Sequence, residues 1–94
     1  MALIYKTMTE QPQTQTENGS ELAALQKRIG ARLKDLRVKK GFTSHETFAL
    51  DHGLPKTQYW RMEKGNVNMT LRSLSTVLAI HNLTIEEFFS TMYQ

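Results

Sequence analysis

Leu22, Leu25, Ile29, Leu33 and Leu36 recur at steps of three and four, the spacing of one face of an α-helix. The pattern predicts a helix from a Ser20 N-cap to about Lys40, stopped at Gly41. Shorter amphipathic segments follow. Ser44 caps a second helix running to His52, with Phe48 and Ala49 inward and Gly53 at its end. Pro55 opens a third, because a missing N–H is harmless in a first turn. That helix ends at Gly65 and turns Tyr59 and Met62 inward, and Asn66 to Met69 reads as a loop. Thr70 caps a fourth helix whose buried stripe is Leu71, Leu74, Val77 and Leu78. Thr84 and Glu87 form a capping box, each side chain satisfying a free backbone amide at the other residue, and open a fifth helix carrying Ile85, Phe88 and Phe89. No segment alternates with a period of two, so the expected fold is all-α, with five helices over residues 20–94. Upstream, residues 9–20 carry no large apolar side chain to offset the entropy of ordering, which predicts a flexible N-terminal extension over residues 1–19.

Composition then removes whole classes of chemistry. With no cysteine among 94 residues, disulfides, Cys-based zinc fingers and a thiol nucleophile are excluded. The three histidines, His45, His52 and His81, have no acidic cluster of ligand type nearby, so no metal or other cofactor is expected. His81 ends the fourth helix, where a cation favours the helix dipole, and reads as structural. No Ser-His-Asp order, paired acids or phosphate-cradling Gly loop is present, and an enzyme is not expected. Nothing approaches the ~18–20 apolar residues of a membrane span, and residues 1–8 lack the basic leader of a signal peptide. The expected location is the cytoplasm.

Charge changes the picture more than composition does. Residues 1–26 hold three acids and one lysine, and residues 73–94 hold only Glu86 and Glu87. Between them, residues 27–72 hold eleven Lys and Arg against four acids. A basic middle between acidic ends is what a polyanion-binding surface produces, although solvated helix faces produce it too. Lys27, Arg28, Arg32, Lys34, Lys39 and Lys40 are spread around the first helix and supply a diffuse field.

The second and third helices, joined at Gly53-Leu54, make the helix-turn-helix pattern. Its neighbours are Ile29-Gly30-Ala31-Arg32-Leu33-Lys34-Asp35-Leu36-Arg37, Lys40-Gly41-Phe42-Thr43, Phe48-Ala49, Arg61-Met62-Glu63-Lys64-Gly65, Leu71-Arg72-Ser73-Leu74 and Leu83 to Phe89. In that order, across about two-thirds of the chain, the sequence resembles the Cro/XRE family of helix-turn-helix regulators. The resemblance implies a lambda-repressor-like domain that binds double-stranded DNA sequence-specifically, as a repressor. It implies that the third helix, about 55–64, enters the major groove with Lys56, Thr57 and Gln58 at the base edges and Trp60 and Arg61 one turn on. Those side chains suit the task, since Gln pairs with adenine, Lys and Arg with guanine, and the Thr methyl with thymine. The resemblance also implies an ion pair between Arg37 and Glu63, tying the first helix to the third. Gly65 is expected to take a positive φ.

Phosphate contacts are expected from Ser44, His45, Lys64, Asn66, Asn68 and Arg72, which lie near helix starts or in the loop after the third helix. Trp60 points away from Tyr59 and Met62, either to contact a partner or to fold over the edge of the core. Two departures stand out. Ser44 or His45 replaces the family's Gln at the start of the second helix, and Pro55 replaces the Ser or Thr cap of the third. A homodimer is expected on a two-fold operator, through Phe88, Phe89, Met92 and Tyr93 or the apolar start Ala2-Leu3-Ile4-Tyr5. The alternative is a protein-interaction module, such as an antitoxin that sequesters a toxin, with Trp60 as a contact hot spot.

Overall fold

The computed structural model describes residues 12–66 and 69–92, the first seven as backbone. Among them are α1 (Pro12–Lys39), α2 (His45–Asp51), α3 (Lys56–Lys64), α4 (Leu71–Ile80) and α5 (Ile85–Met92). Helix α1 begins upstream of the predicted Ser20 cap, so Ser20 is an interior residue. Once a nucleus exists downstream, each further turn costs little, and Pro12 is suited to a first turn. The rest of the predicted extension lies outside the described residues.

The remaining ends follow their sequence signals. Lys39 closes α1 and Gly41 takes φ +101°. The Ser44 hydroxyl accepts from the Glu46 and Thr47 amides. Pro55 is the N-cap of α3 rather than its first residue, and its side chain caps nothing. Thr70 accepts from the Ser73 amide. At α5 the capping box closes in both directions, Thr84 N donating to Glu87 Oε1 at 2.9 Å and Glu87 N to Thr84 Oγ1 at 3.0 Å.

The core gathers Ile29 and Leu33 of α1, Phe48 and Ala49 of α2, Tyr59 and Met62 of α3, Leu74, Val77 and Leu78 of α4, and Phe88 of α5. Two residues expected in it are elsewhere. Leu22 is half exposed, and the stripe of α1 first packs against the core one turn later, at Leu25. Leu71, in the first turn of α4, is exposed, and Met69, read as loop, packs against the core instead. Phe48 is the hub, with the rings of Phe42, His52, Tyr59 and His81 all within 5.5 Å of its centroid. His81 lies parallel to Phe48, at an interplanar angle of 5°. Burial, then the charge of Lys40 and the proximity of His52, lowers its pKa, so it is a neutral core ring and not the cation expected at a helix end.

Two glycines let α1 and α3 approach. A Cβ at Gly30 would meet the carbonyl oxygens of Glu63 and Met62. Gly65 ends α3 at φ +69°, with the Lys27 Cα 2.7 Å from where its Cβ would be.

Candidate nucleic-acid interface

One side of α3 is fixed by Tyr59 and Met62 in the core. Burial raises the Tyr59 phenol pKa, so it is neutral. The helix is further held by Arg37, whose Nε and Nη2 donate to Glu63 Oε2 and Oε1 at 2.7 and 3.1 Å. A third donation, from Nη1, goes to the Phe42 carbonyl at 2.8 Å. Both charged side chains are about 95% buried, with exposures of 5% and 6%. The hydrogen bond to Glu63 raises the Arg37 pKa against the opposing effect of burial. This pair braces the helix-turn-helix and presents no charge to solvent.

The other side of α3 is turned outward. Lys56, Thr57, Gln58, Trp60 and Arg61 are all exposed. Lys56 and Thr57 share a dimple with His45 and Trp60, so the start of α2 abuts the first turn of α3. Trp60 stays outside the core cluster, 38% exposed, with its ring 6.4 Å from His45 and the Lys64 ammonium 5.8 Å over its face. Gln58 leans toward α4, where its Nε2 donates to Ser73 Oγ at 3.3 Å, and it lines a groove with Arg72.

The expected phosphate ligands fall into separate places. His45 and Lys64 border a depression between α1, α2 and α3. Ser44 is used as a cap, which leaves its hydroxyl proton for a partner. Arg72 is on the α4 side, Asn66 follows α3, and Asn68 lies outside the described residues.

Two residues enter the surface that the sequence did not single out. Lys34, assigned only to a diffuse field, borders the same depression as His45 and Lys64. Glu46 places Oε2 2.6 Å from the Lys56 ammonium, and that hydrogen bond lowers its pKa. The signal for Lys34 is its position one turn before Arg37. For Glu46 no local spacing exists, because nine residues, the turn among them, separate it from Lys56.

The chain is 38% identical over 63 residues to Control protein C.MunI of a Mycoplasma species, an alignment covering 67% of this chain and 85% of that protein. The chain belongs to the Cro/XRE family. No protein-family model matches it, and no solved structure matches it significantly. As a Cro/XRE member it is a DNA-binding transcriptional regulator, with DNA as its partner. Among the described residues no helix is long and apolar enough to cross a membrane.

Proposed function

We propose that this Cro/XRE protein is a repressor that reads the major groove of double-stranded DNA with α3. Lys56, Thr57 and Gln58 meet base edges in its first turn, and Trp60 and Arg61 reach the groove wall one turn on. Ser44, His45, Lys64, Asn66, Asn68 and Arg72 hold phosphates and set the docking angle, with Lys34 added to them. The carrying observation is the division of α3: Tyr59 and Met62 are buried, while every proposed reader is exposed on the remaining surface.

A single domain of this size buries roughly 600–1,000 Å² on DNA, which favours a homodimer on a two-fold operator. Phe88 is fully buried, so among the expected C-terminal contacts the partly buried Phe89 and Met92 remain for that interface. Tyr93 and residues 1–11 lie outside the described residues.

Selection from random DNA duplexes at near-physiological salt tests the reading. The expected result is a palindromic motif that relaxes in Gln58→Ala and Lys56→Ala. Retention without any motif, lost as salt rises, would leave only phosphate attraction and overturn it. The antitoxin alternative draws its support from exposed Trp60. Lys56→Glu separates the two, since it abolishes DNA binding and leaves an apolar protein contact largely intact.

A further inference from the structure

A carboxylate stands inside the surface assigned above to a polyanion. Glu46 Oε2 is 2.6 Å from Lys56 Nζ, and both side chains are more than half exposed. An ion pair so exposed contributes little to folding. The Lys56 hydrogen bond holds the Glu46 carboxyl below the usual carboxylate range, so it is an anion at neutral pH. Phosphates repel such an anion, and it is tolerated against DNA where a hydrogen-bond donor meets it.

In the major groove those donors are the amino groups of cytosine and adenine. Adenine sets its N7 acceptor beside the amino group and repels a carboxylate. Its thymine partner adds a methyl beside the oxygen that an ammonium would need. Cytosine N4 instead faces guanine O6, and N7 lies next to O6 on the same edge. Across a G·C pair the O6 and N4 atoms lie at ordinary hydrogen-bond distance, about 2.9 Å. The Nζ and Oε2 atoms of the protein pair have nearly the same separation.

We propose that Glu46 and Lys56 act together as a two-headed reader of one G·C pair. Lys56 donates to guanine O6 and N7, and Glu46 accepts from cytosine N4. The inference rests on α3 being the reading helix. Glu46 thereby acts twice, rewarding the matched pair and repelling phosphates at random sites where no donor meets it. Specificity then gains from the unfavourable contact as well as from the favourable one.

Selection with the full chain, alongside Glu46→Ala and Lys56→Ala, tests this. The wild type is expected to enrich one G·C position in each half-site. Both variants flatten that same position by about fivefold or more and leave the others unchanged. Glu46→Ala also binds random-sequence duplex more tightly, whereas Lys56→Ala binds it more weakly. The inference is overturned if Glu46→Ala keeps every base preference within about twofold, or if the two variants relax different positions. Enrichment of an A·T pair at the shared position also overturns it. A motif whose shared G·C position is unchanged in Glu46→Ala sinks this inference alone, while no motif in the wild type sinks the α3 reading with it.

Discussion

Arg37 carries a full charge at 5% exposure, and its three hydrogen bonds make that tolerable. Removing one partner leaves the other charge buried without compensation. Arg37→Met and Glu63→Leu are therefore each expected to cost about 3–5 kcal/mol in urea-unfolding free energy. The double variant should recover most of the loss, because apolar side chains often replace a buried pair with little penalty. It should remain about 1 kcal/mol below the wild type, since the Phe42 carbonyl still loses its donor. Strictly additive losses would mean that the pair does not act as a unit. Arg37, Glu63, Gly65 and the inward Tyr59 and Met62 were all legible in the sequence, because a family pattern or a helical period marks them. Glu46 was not, since its contact with Lys56 exists only after α2 and α3 have met.

Among the elements, α1 is the one whose extent the sequence misjudged. Its apolar stripe ends at Leu22, and the polar residues before it offer nothing to bury, so pattern alone stopped the helix at Ser20. Helix α1 nonetheless reaches Pro12. Its residues from Gly19 to Ala24 are all exposed. The core first meets α1 at Leu25, and Gln26 and Lys27 pass close against Gly65. We expect deletion of residues 1–18 to leave the melting temperature within a few degrees, because the helix residues that follow the cut, Gly19 to Ala24, are all exposed. A fall of ten degrees or more in a thermal melt would show that the extension packs on the domain or on a second copy. The caps were easier to read than the extent. Ser44, Thr70 and the Thr84–Glu87 box depend on neighbours two or three residues away, which a sequence displays directly. Leu71 misled because a helical stripe does not say where the core stops.

For the molecule as a whole, His81 joins separate helices to one titration. Its backbone N–H caps α4, while its ring stacks on Phe48 of α2 and lies in the field of Lys40, just past the end of α1, and of His52. Burial is the largest cause of its lowered pKa, and the two neighbouring bases add to it. The sign follows from which state holds the proton. In the unfolded chain His81 titrates near its ordinary 6.5, while in the folded chain it resists protonation to lower pH. Below pH 6.5 the unfolded state therefore binds more protons, and stability falls with pH. The stabilisation is complete above that value, is lost as pH drops through the window between the two pKa values, and declines no further below the folded one. Because the ring stacks on Phe48, the hub of the core, the loss should be read by cooperative unfolding and not by local fraying. His81→Phe keeps an aromatic stack on Phe48 and removes the titration. Its urea-unfolding free energy should change less than that of the wild type between about pH 7.5 and pH 5.5. Parallel losses in the two proteins would place the acid sensitivity elsewhere in the fold.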